Sequence, residues 1–463
     1  MSAPILWIAL PLALAALLLF VSDERWCGGL GGAAALILAA LALFFPTDSA
    51  QRVFGLFSVR IDSTLTLLGR QIQLTPADQL MLVLAYGIGA FWFFGALAVR
   101  AARKIVPFGL AILALLVASL AVTPFLYAAL LIEIAALLVV PMLATPGRGL
   151  LRFITYQTLA MPFILLAGFL LTGVEAGPRD FALVAQAAVI LGIGFAFLLS
   201  VFPLHSWIPM LAQEAPLYRV AFLFMVFPTF HLLFALNFVD RYAWLRESPA
   251  FFAAMRLVGL ISLVYAGIFA MLQRHQGRML GYFVLAESGL SLVALSLSNH
   301  VTGLQLIFGL IVPRSLALAL WALALAVLQP AAESLSLRDL QGAARRFPLA
   351  AAGIIFAMLS LSGVPLLAGF PLRQSLWETL AAESPLAALW LGLGGFGLWV
   401  ASLRTLAALL MAPEGLPWQS GESAFQRALL ALGALALFVI GIFPQWVNPL
   451  LVNLPGMFER FGK

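Results

Sequence analysis

Residues 201–216 read VFPLHSWIPMLAQEAP, and residues 362–373 read SGVPLLAGFPLR. Both stretches are largely apolar, yet Pro203, Pro209 and Pro216 interrupt the first, and Gly363, Pro365, Gly369 and Pro371 interrupt the second. A broken helix at membrane depth is tolerated only where it faces protein or a wet cavity, and a corresponding pair of breaks marks a transporter built from repeats. The two breaks lie about 160 residues apart, five apolar runs from one another. The plainer alternative is that proline is commoner in membrane helices than in soluble ones.

The rest of the chain agrees with a membrane setting. Of 463 residues, 63% are apolar and 10% charged, whereas a soluble domain is about 25% charged. At about 20 residues per span, fourteen spans need roughly 280 residues, which that apolar content supplies. Basic residues outnumber acidic ones by 25 to 19 but are scattered between apolar runs, so they read as topology rather than as a nucleic-acid stripe. Cys27 is a single cysteine among four scattered histidines, which leaves no internal disulfide and no expected metal site. No glycine-rich nucleotide loop stands at a strand-to-helix junction, so no NADH, ATP or other cofactor site is expected on this chain. The run from Pro4 to Phe20 has no basic residue before it and no cleavage site after it, and reads as a retained helix.

Apolar runs fall at 4–20, 28–45, 79–99, 104–122, 124–144, 153–173, 181–201, 216–238, 252–272, 279–298, 303–328, 348–368, 386–411 and 425–452. The turns from odd to even spans carry Arg25, then Arg100, Arg103 and Lys104, then Arg148 and Arg152, then Arg274 and Arg278, then Arg338, Arg345 and Arg346. The positive-inside rule turns these to the cytoplasm and both termini outside, in a multi-pass protein of the inner (plasma) membrane. The exception is 46–78, with Arg52, Arg60 and Arg70; its alternation at Val59, Ile61, Ile72 and Leu74 around Gly69 predicts a β-hairpin on the outer face. The expected organisation is 1–103 for spans 1–3, 104–238 for spans 4–8, 252–411 for spans 9–13, and 412–463 for the last span and a short tail.

Three ordered blocks name a family. Pro203, Leu204, His205, Ser206, Trp207, Ile208 and Pro209, then Ala215 and Pro216, resemble the P-F-H-x-W-L-P and A-P signature of the antiporter-like membrane subunits of respiratory complex I. Gln273, Arg278, Gly281, Tyr282 and Gly289 form the second block. The third runs from Leu337, Arg338, Asp339, Leu340, Gly342, Arg345, Arg346 and Pro348 to Ser362, Gly363, Val364, Pro365, Leu366, Leu367, Ala368, Gly369 and Phe370. The resemblance covers roughly residues 75 to 410 and extends to Mrp cation/proton antiporters, membrane-bound hydrogenases and inorganic-carbon uptake complexes. It implies an all-α polytopic protein of about fourteen transmembrane helices, with two inverted five-helix repeats (spans 4–8 and 9–13) and spans 7 and 12 broken; since the sequence stops soon after span 14, the expectation is one of the shorter members, without the long lateral helix of the largest such subunit.

The resemblance also implies a proton relay through a Glu in span 5, a Lys in span 7, a Lys or His in spans 8 and 11, and a Lys or Glu in span 12. Lysine suits such a relay because desolvation brings its pKa toward neutrality. Glu133 matches the first position, Leu198 stands at the second, and Pro228 or Thr229 at the third. His231, two or three residues on, is a possible substitute on another helix face. Arg314 and Arg373 stand at the last two positions. Arginine is a poor proton carrier, because its pKa stays above about 12, but it holds a fixed charge. Glu287 offers a partner to Arg314 or Arg274. The plain alternatives are a protonated, hydrogen-bonded Glu133, a structural His231, and arginines paired only for stability. His205 and Trp207, with Pro203, Pro365 and Gly369, read as shaping the breaks; Arg219, Glu214, His275 and His300, near span ends, read as snorkelling to the interface.

The expected function is proton translocation or proton coupling, as a membrane subunit of a larger complex with other membrane and soluble subunits. The bilayer and protons are the other partners expected, and nucleic acid is not. Two alternatives stay open: a membrane subunit of an inorganic-carbon uptake complex with a zinc-containing soluble partner, and a non-conducting scaffold that has lost the lysine relay. No catalytic site is expected on the chain, which would act, if at all, as part of a proton-pumping oxidoreductase or translocase.

Overall fold

The computed structural model describes residues 2–45, 47, 50–53, 57–67, 69–123, 127–176, 181–411, 418–446, 451, 454–458 and 460–461. Pro46, Pro124 and the far end of the last apolar run, on which parts of the sequence reading fall, lie outside them. Among the described residues, eleven helices are long and apolar enough to cross a membrane, and three shorter apolar helices, Ile5–Leu18, Tyr127–Leu143 and Pro348–Leu361, occupy the other expected positions.

In chain order the helices are α1 (Ile5–Leu18), α2 (Glu24–Phe44), α3 (Gln79–Ala98), α4 (Ala102–Ala121), α5 (Tyr127–Leu143), α6 (Arg148–Ala176), α7 (Phe181–Leu199) and α8 (Trp207–Glu214). They continue as α9 (Leu217–Arg241), α10 (Pro249–Leu272), α11 (Gln276–Leu295), α12 (His300–Leu328), α13 (Pro348–Leu361), α14 (Phe370–Glu383), α15 (Pro385–Leu410) and α16 (Ala424–Ile442). Span 7 is thus split into α7 and α8, and span 12 into α13 and α14.

Helix starts follow from their caps. Asp23, Ser248, Asn299 and Ser384 each accept a backbone N–H from the first turn that follows, and Ser423 with Gln426 forms a reciprocal capping box. Two caps come from far away in sequence and tie elements together. Glu214 at the end of α8 accepts from the Gly149 N–H at 2.8 Å, and Glu422 before α16 accepts from Leu349 and Ala350 at the start of α13. Each places a carboxylate on the positive end of a helix dipole.

The bundle has a centre and a rim. The span windows of α11 and α12 are 94% and 83% buried, against 28% in α7 and 17% in α16, so the latter two lie at the edge. Close packing around α10 depends on missing side chains: a β-carbon at Gly259 would lie 2.8 Å from the Gly289 carbonyl oxygen of α11, and one at Gly267 would collide with the backbone of Gly394 on α15.

The stretch between α2 and α3 forms two antiparallel hairpins where the sequence pattern suggested one. β1 (Ala50–Val53) pairs with β2 (Phe57–Arg60), and β3 (Thr64–Leu67) pairs with β4 (Arg70–Gln73) around Gly69, whose φ of 72° suits a residue without a β-carbon. β5 (Val122–Thr123), in the turn after α4, adds to β4. Val59 pairs with Gln51 and Ile72 with Leu65, so the two alternating runs belong to different hairpins. The Arg70 guanidinium rests 4.1 Å from the centroid of the Tyr127 ring, a cation–π contact at the head of α5.

Candidate functional site

An ionisable side chain at mid-bilayer costs about 2.5–3.5 kcal/mol on insertion scales, and those in the bundle core are gathered around the two breaks. At the first, α7 ends at Leu199 and Ser200 takes a φ of 53°. The Trp207 indole N–H donates to the Ser200 hydroxyl at 2.9 Å, and the Phe202 N–H donates to Ser262 of α10 at 3.2 Å. His205 is buried, stacked on Phe202 and set edge-on to Tyr265 with centroids 4.6 Å apart. The break in the first half is therefore held by a helix of the second. At the second break, Gly363 has a φ of 74° and the Gly369 N–H donates to Ser360 at 3.2 Å. Ser362 is bonded to Ser402, and its carbonyl accepts the Trp399 indole N–H.

Between the breaks lie four of the five relay candidates. His231 is fully buried on α9 and its Nδ1 lies 2.9 Å from the carbonyl oxygen of Leu198. A carbonyl only accepts, so Nδ1 carries a proton, and in the neutral ring Nε2 presents its lone pair; Nε2 is buried without a hydrogen-bond partner. The helix face that takes His231 away from position 229 thus turns it toward the turn where the resemblance places the span 7 lysine. Arg314 of α12, 5% exposed, donates from Nη2 to the Thr229 hydroxyl at 2.7 Å. That hydroxyl donates in turn to the Met225 carbonyl at 2.7 Å, which commits its proton. This bond joins span 8 to span 11.

Arg373, in the first turn of α14, pairs through Nη2 with Glu287 of α11. The side chains are 11% and 2% exposed. The sequence reading offered Glu287 to Arg314 or Arg274; the pairing falls instead to Arg373, because the break in span 12 brings the start of α14 to the middle of the bundle. Gly363 matters here, since a β-carbon on it would lie 2.8 Å from Cδ of Arg373. Arg314 stands within electrostatic reach of both members of that pair.

Glu133 is set apart from this group. On α5 it accepts from the Thr158 hydroxyl of α6 at 2.7 Å through Oε1, while Oε2 is buried without a partner. Thr158 was not singled out from the sequence, nor was its neighbour Gln157, which is 1% exposed with both ends of its amide unpartnered. Gln157 lies one turn from Phe153, which packs on Trp207 and Phe227 with centroids 4.8 and 5.6 Å apart, and Phe227 in turn touches His231. The only sequence signal for either was a polar residue inside an apolar run. A second missed network, Trp321 to Gln276 to Thr405, closes the other end of α11.

The residues expected near span ends are engaged with protein. Arg219 donates to the Met142 and Leu143 carbonyls, His275 caps the Gly277 N–H at 3.1 Å, and the His300 ring lies between those of Phe252 and Phe461. Among the described residues, no group of three or more His, Cys, Asp or Glu side chains is placed to hold a metal ion.

Residues 166–398, which include both breaks and the Arg314 and Glu287 sites, match the family model described as NADH:quinone oxidoreductase/Mrp antiporter, TM. The chain belongs to this family. Subunit N of the NADH-quinone oxidoreductase of Ectopseudomonas mendocina is 30% identical over 320 residues, 62% of each chain. Subunit 14 of the Thermus thermophilus enzyme is 30% identical over 326 residues, covering 66% of this chain and 70% of that one. The match to the first thus spans less than two thirds of its length. Among solved structures, a chain of the Mrp complex from Dietzia superposes with a TM-score of 0.82 at 16% identity, covering 100% of this chain and 99% of that one. A chain of Thermus thermophilus respiratory complex I gives 0.76 at 20% identity, covering 99% and 100%. Family membership and fold together make the chain a polytopic, antiporter-like membrane protein.

Proposed function

We propose that the chain is a proton-translocating or proton-coupling membrane subunit of a larger inner-membrane complex of the complex I type. The observation that carries this reading is the line of buried polar contacts across the bundle: Leu198 carbonyl to His231, Thr229 to Arg314, and Glu287 to Arg373. Buried ionisable groups at membrane depth are costly and normally mark ion paths. In this reading His231 and Glu287 exchange protons with Glu133 and water, and Arg314 and Arg373 set the field. The relay rests on two five-span units, 104–238 and 252–411, with both termini outside. Its partners are further membrane and soluble subunits, as the names of the similar proteins suggest.

A second reading, a scaffold that no longer conducts, draws on Leu198 and Thr229, which cannot titrate where the resemblance places lysines. Proton flux into proteoliposomes holding the purified complex separates the two. Loss of flux in Glu287→Gln or His231→Ala with assembly intact supports conduction; native flux in both variants leaves the scaffold.

A further inference from the structure

We infer that the core of this chain holds a small monovalent anion, chloride-like in size, beside Arg314 and facing Arg373 and the N-terminal end of α14. Positive charge exceeds negative charge at this point. Arg314 and Arg373 are both permanent cations, and α14, a half-helix beginning in the middle of the bundle, adds the positive end of its dipole. Glu287 is the one acid opposed to them and is already committed to Arg373.

Arg314 is left without a counter-charge of its own. Thr229, which accepts from its Nη2, is neutral, and Nε of Arg314 and Nε of Arg373 have no partner among the described residues. A buried guanidinium is expected to be paired as well as hydrogen-bonded. The other acids described on the spans do not supply the pair: Glu133 is bonded to Thr158, Glu214 to the Gly149 N–H, Asp240, at the end of α9, to the backbone N–H groups of Arg460 and Phe461, Glu378 to Gln374, and Glu383 to Arg256. The excess is one charge, which calls for a monovalent ligand. Arg314 and Glu287 are 5% and 2% exposed, which calls for a small one. Half-helix ends at membrane depth serve anionic groups in other membrane proteins by the same electrostatics.

This inference is independent of proton conduction, and its test reads binding rather than flux. Thermal unfolding of the purified complex containing the full chain is followed as chloride is replaced by gluconate at constant ionic strength. The expected result is a midpoint that rises with chloride and bromide to saturation in the native protein. Arg314→Gln should lose that rise, and Arg256→Gln, which breaks the ion pair between Arg256 of α10 and Glu383 at the far end of α14, should keep it. Crystals of the native complex soaked in bromide supply a readout that needs no variant, with an anomalous peak expected beside the Arg314 guanidinium. Equal midpoints in chloride and gluconate, a full halide response in Arg314→Gln, or no bromide peak at that guanidinium would each overturn the assignment and leave water as the occupant.

Discussion

His231 Nδ1 and the Leu198 carbonyl, 2.9 Å apart, join span 8 to span 7 at the turn where the family resemblance places a lysine. The bond fixes the ring so that its other nitrogen, buried and without a partner, is the group free to take up a proton. If the first half conducts, this nitrogen is the titratable group that span 8 offers to it. His231→Ala is expected to lower proton flux by about 100-fold, the scale seen when a positioned acid–base group is lost. His231→Asn, whose side-chain N–H₂ still reaches the Leu198 carbonyl but cannot titrate, should assemble normally and lose as much. Native flux in the asparagine variant sinks the role.

Glu287→Gln leaves Arg373 buried with its charge unanswered, and removing one member of a buried pair costs about 3–5 kcal/mol. The expected outcome is a large drop in the unfolding midpoint of the purified complex. Glu287→Gln combined with Arg373→Met should recover most of it, since the double change removes both charges. A double variant as unstable as the single one would show that the loss does not come from an unanswered charge on Arg373.

Much of the fold was legible because apolar runs of about 20 residues separated by arginines leave little freedom in a bilayer, and the runs coincide with α1 to α16 once the two breaks are counted. The breaks themselves were legible in Pro203 and Gly363, because proline and glycine interrupt the helical hydrogen-bond ladder. Which charges meet was not. Whether Glu287 faces Arg274, Arg314 or Arg373 depends on where the half-helix α14 re-enters the bundle, a tertiary fact no spacing encodes. Thr158 and Gln157 were invisible for another reason: one hydroxyl or amide in an apolar run looks the same whether it packs against lipid or answers a carboxylate. The double hairpin between α2 and α3 was missed because alternation marks a strand but not its partner.

His275, in the turn between α10 and α11, accepts the Gly277 N–H through Nδ1 and so caps α11 while it is neutral. Burial, and then the neighbouring positive charge of Arg278, hold its pKa below the ordinary 6.5. The unfolded chain therefore binds a proton more readily than the folded one, and the contribution is fully present above the unfolded value and lost as pH falls through the folded one. The unfolding midpoint of the purified complex should fall between about pH 7.5 and 5.5 by an amount that His275→Asn removes, because asparagine caps a helix without titrating. An unchanged pH response in that variant assigns the effect to another group.

Glu133 accepts one hydrogen bond, from Thr158, and a glutamine placed there accepts the same bond through its amide oxygen. Glu133→Gln should therefore assemble and unfold within about 1 kcal/mol of the native protein, the scale of one hydrogen bond. Its proton flux should collapse if the carboxylate is the entry group of the relay. Flux unchanged in a well-assembled variant would remove Glu133 from the path and leave it as a hydrogen-bond partner of α6.

Arg314 separates a conducting junction from a fixed one. The Thr229 hydroxyl accepts its Nη2, and a lysine at 314 is long enough to make the same kind of bond, so Arg314→Lys changes the ability to release a proton more than the local contacts. A guanidinium stays protonated even when crowded, whereas a desolvated ammonium gives up its proton near neutrality. If protons must cross from span 8 to span 11, the arginine is a barrier there, and Arg314→Lys should raise flux through the complex while Arg314→Leu, which has neither charge nor proton, should not. If Arg314 only sets the field for Glu287 and Arg373, the lysine variant should carry no more than the native chain, and the leucine variant should lose flux because one of the two fixed cations near that carboxylate is gone and Arg373 alone remains. The sign of the lysine effect thus decides between a junction that protons cross and one that they do not.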